Sequence, residues 1–243
     1  MKVAIITGAS SGIGKVAAER LLKNGWRIYG LSRTEPNIKN GNFVWLACDL
    51  AKPDTIAKTL EKIAEPRVDL LVSNAGVAFE QPPTGATQES YEKMFSVNVL
   101  APMLLTAMLK DKIAHSTIIS ISSVSDRLIE KDYALYCSSK AANTRFFEAL
   151  ADNLVGAKVY TLLPDYVDTP MLRELEEGRN FNWSQALSVE DLVKLVVDLA
   201  LGKFDLASGS NIIVVNNALK EDLASREKLY GFNTDTGELV KLQ

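Results

Sequence analysis

Residues 136–140 read Tyr-Cys-Ser-Ser-Lys, which sets a phenol and an ammonium one helical turn apart. On a helix that spacing puts both on one face. An unperturbed tyrosine ionises near pH 10, so its phenolate is scarce at neutral pH, and an ammonium close by lowers that value. A tyrosine held this way can give a proton to a carbonyl oxygen or take one from an alcohol. The pair is weak evidence alone, because an exposed helix surface produces the same spacing by chance.

A second feature lies at the start of the chain. Residues 7–14 read Thr-Gly-Ala-Ser-Ser-Gly-Ile-Gly, directly after the apolar run Val3–Ile6. Gly12-Ile13-Gly14-Lys15-Val16-Ala17 matches G-x-G-x-x-G/A, the dinucleotide fingerprint. Gly8 and Gly12 permit a tight turn with positive φ, and a missing side chain at Gly12 or Gly14 lets a pyrophosphate approach the backbone. The helix that follows would offer unpaired N–H groups and the positive end of its dipole. Two other motifs overlap these residues. A Walker A loop fails, since Ala9–Val16 has alanine first and valine last. Gly8-Ala9-Ser10-Ser11-Gly12 also fits the nucleophile elbow G-x-S-x-G, which needs a histidine base, and His115 is the sole histidine. A glycine turn without a ligand is the bland alternative.

The elements that must carry these residues alternate regularly. Strand patterns fall at Val3–Ile6, Arg27–Leu31, Phe43–Ala47, Val68–Ser73, Thr117–Ser122, Lys158–Leu163 and Asn211–Val215. Helical patterns fall at Gly14–Lys23, Pro53–Ala64, about Gln88–Lys112 with a kink expected at Pro102, Ala134–Asn153 and Val189–Leu201. Such alternation predicts an α/β fold with a parallel sheet covered on both faces. No repeat or linker divides the chain, so residues 1–217 read as a single domain and 218–243 as a C-terminal extension on it or on a partner subunit.

Composition narrows the function. The 243 residues are 47% apolar and 23% charged, as in ordinary globular proteins. One histidine and two cysteines exclude a multi-Cys/His zinc module or a disulfide-dense scaffold, and no metal site is expected. A net charge of −3 argues against a nucleic-acid partner. The N-terminal apolar run is too short for a signal peptide, and no uninterrupted apolar stretch approaches the roughly 18 residues of a membrane span. A cytoplasmic protein is the expectation, with Cys48 and Cys137 as free thiols.

Further residues link the two features. Ser122-Ser123 ends the strand before Tyr136, Asn74-Ala75-Gly76 ends the fourth strand, and Asn98 lies in the long helical region. This set, in this order, resembles the short-chain dehydrogenase/reductase family over roughly residues 2–217. The resemblance implies a three-layer, Rossmann-like, doubly wound sheet with strand order 3-2-1-4-5-6-7. It also implies a catalytic tetrad of Asn98, Ser123, Tyr136 and Lys140, in which Lys140 holds the nicotinamide ribose and Asn98 supports a proton-relaying water. Independently, a Ser123 hydroxyl beside Tyr136 would polarise the same substrate oxygen. The family pattern places Gly8, Ser10, Ser11, Gly12, Ile13 and Gly14 at the cofactor phosphates. It places Asp49 and Leu50 at the adenine, Asn74, Ala75 and Gly76 along the cofactor, and Val167 and Thr169 of the Pro164–Thr169 loop over the nicotinamide, beside Tyr136 and Lys140.

Cofactor choice is readable where the second strand ends. Folds that prefer NAD carry an acidic residue there. Here the residues are Ser32-Arg33: nothing repels a 2′-phosphate, and Arg33 could pair with one. NADP(H) is therefore expected over NAD(H). The expected activity is NADP(H)-dependent reduction of a carbonyl, or oxidation of a secondary alcohol, on a small molecule. The resemblance also implies a homodimer or homotetramer. A catalytically silent NADP-binding regulator is the alternative, although such proteins usually lose the tyrosine or lysine that this chain keeps.

The chain departs from the family pattern at Asp165, where glycine is usual, and at Asn216-Asn217-Ala218, where Asp-Gly-Gly is common. Asp126, Arg127, Glu130, Lys131 and Asp132 read as solvated loop charges. Met171, Leu172, Phe181 and Trp183 read either as an apolar lid over substrate or as packing.

Overall fold

The apolar, β-branched runs form strands because such side chains fit a pleated surface buried on both faces. In the computed structural model they are β1 (Val3–Thr7), β2 (Arg27–Ser32), β3 (Phe43–Ala47), β4 (Leu70–Ser73), β5 (Thr117–Ile121), β6 (Lys158–Pro164) and β7 (Ser210–Val214). They form one sheet in the order β3-β2-β1-β4-β5-β6-β7. Every pairing is parallel. The structure describes residues 1–214 in full, together with the backbone of β8 (Tyr230–Asn233) and β9 (Glu238–Lys241), which pair antiparallel. The remainder of the expected extension at 218–243 lies outside the described residues.

The alternation of β1 builds two cores. Ala4 and Ile6 pack on one face with Ala17, Leu21, Val193 and Val196, from α1 (Gly12–Lys23) and α7 (Val189–Ala200). Val3 and Ile5 pack on the other with Ile56, Leu105 and Phe147, from α2 (Pro53–Leu60), α4 (Ala101–Ile113) and α5 (Ala134–Asn153). Ile5 and Ile6 are fully buried, and each such side chain contributes about 1.5–3 kcal/mol. The result is three layers, with the strand order reversing direction between β1 and β4. Crevices at the carboxyl ends of strands form at such switch points.

The long helical region differs from expectation. α3 (Gln88–Phe95) starts with a capping box between Thr87 and Ser90, and a π-helical turn at Ser96–Leu100 separates it from α4. The irregularity therefore precedes Pro102, which lies in helical backbone continuous with the π-turn, where its missing N–H leaves the carbonyl one turn back without a partner. Lacking that N–H as a partner, the Asn98 carbonyl accepts the Asn143 side-chain amide at 3.0 Å. The whole run Gln88–Ile113 is long and apolar enough to cross a membrane by length and composition. Here Leu105, Leu109 and Ile113 are buried against the sheet. α2 stops at Leu60 rather than Ala64 because the chain tightens into i→i+3 bonds ahead of Pro66. A short helix, α6 (Pro170–Leu175), was not signalled by periodicity; Thr169 caps it and Pro170 opens it.

Candidate active site

The glycine loop joins β1 to α1 at the switch point. Gly8 and Gly12 have φ of +68° and +51°, the left-handed region that glycine occupies without strain. Gly14 is required for a different reason: a Cβ there would stand 2.3 Å from the Gly8 carbonyl oxygen. The N-terminus of α1 is open. Its N-cap, Ser11, makes no side-chain cap bond, and the first turn carries no acidic residue. By contrast, Ser188 caps α7, with Glu190 and Asp191 in its first turn. An uncapped helix start behind a glycine turn fits an anionic group. Lys15, a possible further positive charge, pairs with Glu19 at 2.6 Å.

Thr7 fastens this loop to the next strand. Its Oγ1 accepts the N–H groups of Asn74 and Ala75, both at 2.9 Å. Asn74 Nδ2 returns a bond to the Thr7 carbonyl at 2.9 Å. A cleft of about 690 Å³ opens above these strand ends. Gly8, Ser10, Ser11, Gly12, Ile13, Arg33, Asp49, Leu50, Asn74, Ala75, Gly76, Val167 and Thr169 all border it, as do Ser123, Tyr136 and Lys140. Arg33 is exposed at its rim and has no ion-pair partner among the described residues. Asn98 and Gly14 lie just beneath the lining.

The four residues of the expected tetrad are brought together by β5, the π-turn and α5. A Cβ on Gly76 would lie 3.4 Å from Asn98 Oδ1 and 3.6 Å from Lys140 Nζ, so these two groups share one small space. Asn98 is buried: its Oδ1 accepts the Val77 N–H at 2.8 Å, and its Nδ2 donates to the Val77 carbonyl at 2.9 Å and to Ser139 Oγ at 3.0 Å. Lys140 Nζ donates to the Ile121 carbonyl at 3.1 Å and lies 5.6 Å from the centroid of the Tyr136 ring. Ser123 borders the same cleft as the Tyr136 phenol, its Oγ bonded to Ser125.

Burial governs the charges. It pushes the Lys140 ammonium down to about 8. It pushes the Tyr136 phenol well above its ordinary value; the Ser123 hydroxyl opposes this, and the Glu130 charge adds to it. Burial, rather than Lys140, dominates the phenol in this form of the protein. The phenol is loaded with its proton at neutral pH.

The far end of the cleft is bounded by Val97, Tyr133, Tyr166, Met171, Leu172 and Leu175. Met171 and Leu172 face it. Phe181 and Trp183 instead pack in an edge-to-face row on Tyr166, with the Arg173 guanidinium 4.9 Å over the Trp183 ring. Arg173 is also held by Asp168 through two 2.7 Å bonds. Asp165 faces the cleft, its carboxylate accepting the Tyr166 N–H at 2.8 Å. Arg179 bonds Glu80 and reaches the Tyr133 hydroxyl at 3.4 Å, bracing the segment that carries α6.

The chain matches the short chain dehydrogenase family over residues 2–180. The chain belongs to the short-chain dehydrogenase family. D-erythrulose reductase of Gallus gallus is 30% identical, with 87% of this chain and 93% of the relative covered. The NAD(+)-dependent 15-hydroxyprostaglandin dehydrogenase of Mus musculus is 26% identical, over 90% and 87%. A short chain dehydrogenase family protein of Francisella tularensis shares the fold with a TM-score of 0.83 at 23% identity, covering 88% of this chain and 97% of that one.

As a short-chain dehydrogenase the protein is an oxidoreductase of a family that binds a nicotinamide cofactor and acts on small molecules. The rival hydrolase reading fails on geometry. Ser10 follows the carboxyl end of β1, whereas His115 is exposed before the amino end of β5. In a parallel sheet these are opposite edges. Cys48 and Cys137 are free; the first is buried and the second half-buried. Thr7 and Glu130 are the residues whose place at the site was not read from sequence. Thr7 opens the glycine motif in the sequence, where no role of its own was assigned to it; in the structure it ends β1 and ties the loop to Asn74 and Ala75. Glu130 was grouped with solvated loop charges, yet it borders the cleft and accepts Ser125 Oγ at 3.0 Å.

Proposed function

We propose that this short-chain dehydrogenase reduces a small-molecule carbonyl with NADPH, using Tyr136 as the acid. The observation that carries the reading is the shared space of Asn98, Lys140 and Gly76 beside a proton-loaded Tyr136. The residues present suit a nicotinamide dinucleotide: the uncapped start of α1 and the cradle at Gly8 and Gly14 suit an anionic group, and one cleft is bordered by both Gly8 and Tyr136. When bound, the reduced nicotinamide supplies hydride to the carbonyl carbon.

The protein's residues do the rest. The N–H groups of Gly12, Ile13 and Gly14 hold the pyrophosphate, with Ser10 and Ser11 beside it. Arg33 pairs with a 2′-phosphate, and the absence of a carboxylate at Ser32-Arg33 removes repulsion. Asp49 and Leu50 border the adenine, and Asn74–Gly76, Val167 and Thr169 line the path to the nicotinamide. Lys140 orients the ribose, and its charge stabilises the phenolate as the Tyr136 proton leaves. Ser123 orients the carbonyl oxygen, and Tyr136 donates its proton to it. Asn98 holds the backbone at Val77 and thereby the floor of the site. Residues 1–217 act as one catalytic unit, in a cytoplasmic homodimer or homotetramer.

The test is NADPH consumption with a panel of hydroxy ketones, keto esters and aromatic ketones. The reading expects turnover by the native chain, lost in Tyr136→Phe with NADPH binding retained. Turnover that survives Tyr136→Phe would remove the proposed acid.

A further inference from the structure

A second chamber of about 280 Å³ adjoins the cleft. Ala78, Phe79, Tyr133, Met171, Glu174 and Leu175 border both spaces, so the two are continuous. Glu80 and Arg179 border the chamber but not the cleft, and they form its remote side.

The walls are tied in place. Asn98 holds both backbone polar groups of Val77, and Ala78 and Phe79 follow directly. Lys93 Nζ stands 5.1 Å over the Phe79 ring. A parallel bridge joins Gln81 to Tyr133, and the Gln81 N–H donates to the Asp132 carbonyl at 2.6 Å. Met171 and Leu175 lie one turn apart on α6 and share a face. Arg179 pairs with Glu80 and reaches the Tyr133 hydroxyl at 3.4 Å.

The chemistry of these walls selects a ligand. Phe79, Tyr133 and Leu175 are half-buried and Met171 is 39% exposed. A group that covers them removes apolar surface from water. An apolar cavity of about 150 Å³ holds a benzene ring, so the chamber has room for one ring and a short link. The charges disfavour an anion. Arg179 is matched by Glu80 and Glu176, which leaves the Glu174 carboxylate at the wall. Lys93 borders the cleft and not the chamber.

We propose that the chamber receives an uncharged, ring-sized apolar substituent of the substrate. The preferred substrates are then ketones that carry such a group on a short link, over small ketones and over ketones with a carboxylate at that end. The inference rests on the reduction reading above.

The test compares butanone, benzylacetone and benzylacetone bearing a ring carboxylate. In all three the carbonyl is unconjugated, so its intrinsic reactivity is similar. With NADPH, kcat/KM for benzylacetone should exceed that for butanone by about tenfold to a hundredfold. The ring carboxylate should remove most of that gain. Leu175→Trp and Met171→Trp fill the chamber and should each abolish the gain, with NADPH binding as the check that the variant is folded. A second readout needs no turnover. The corresponding alcohols cannot react with the NADPH complex, so calorimetric titration reads their binding alone. The phenyl alcohol should bind about tenfold or more tighter than butanol, and both variants should lose the difference. Equal binding of the two alcohols, tighter binding of the ring carboxylate, or a difference kept in both variants would overturn the chamber, even if the native chain reduces ketones. The expected order of alcohol binding in a protein that reduces no ketone would uphold the chamber and overturn the reduction reading instead.

Discussion

Lys140 Nζ lies 5.6 Å from the centre of the Tyr136 ring while donating a 3.1 Å bond to the Ile121 carbonyl. The ammonium is thus anchored to the end of β5, one helical turn from the phenol, and is not spent on the phenolic oxygen. Lysine and tyrosine are both moved toward their neutral forms by burial. That state suits an acid waiting to donate, and it costs stability in a predictable way.

Lys140→Met should raise the thermal stability of the protein without cofactor at pH 7. Lys140 titrates near 8 in the folded chain against an ordinary 10.5, which corresponds to about 3 kcal/mol of penalty for carrying the ammonium. The unfolded chain binds more protons between those two values, so native stability should rise with pH from about 8 to 10.5. Below 8 the penalty is fully present. Methionine removes it and forfeits one hydrogen bond, worth about 1 kcal/mol. Thermal melts across this range should show the gain at pH 7 shrinking toward pH 10.5. A variant less stable than native at pH 7 would contradict the assignment.

Tyr136→Phe should lower kcat for carbonyl reduction by about 10²–10⁴-fold, the usual share of a positioned acid. The ring remains, so the NADPH dissociation constant should stay within a fewfold of native. Steady-state kinetics with a parallel binding titration checks both.

The cradle makes a sharper structural prediction. In Gly14→Ala the new Cβ would meet the Gly8 carbonyl oxygen at 2.3 Å and Asn74 Nδ2 at 2.6 Å. Neither neighbour can withdraw without breaking the Thr7–Asn74 tie. The variant should lose about 1–3 kcal/mol of stability and bind NADPH markedly more weakly, as read by denaturant unfolding and titration. Gly41→Ala, where a Cβ meets nothing within 4 Å, serves as the control and should be close to neutral.

Much of this arrangement was legible in the sequence, and the exceptions have physical causes. The buried strands announced themselves through β-branched runs, and the strand order followed from the family likeness, which local periodicity alone could not supply. The glycine loop, Tyr136 and Lys140 were legible because their chemistry demands a fixed spacing along the chain. Asn98 was visible as a residue, but not the π-helical turn that presents it. That turn depends on a backbone bond from Ala101 to Ser96 and on Asn143 meeting the carbonyl freed by Pro102, both tertiary facts. Glu130 was hidden for the same reason. A charge in a polar loop reads as solvated until the fold places Ser125 beside it. The aromatic residues Phe181 and Trp183 were ambiguous between lid and packing, and only the row on Tyr166 settles them as packing.

The most direct test of the account is a fluorescence titration of the purified protein with NADPH and, separately, with NADH. The account predicts saturable binding of both, tighter for NADPH by about tenfold or more, as a charge-assisted pair contributes. That advantage should vanish in Arg33→Ala. Equal or tighter binding of NADH would contradict the role of Arg33, and binding of neither would contradict the reading of the cleft itself.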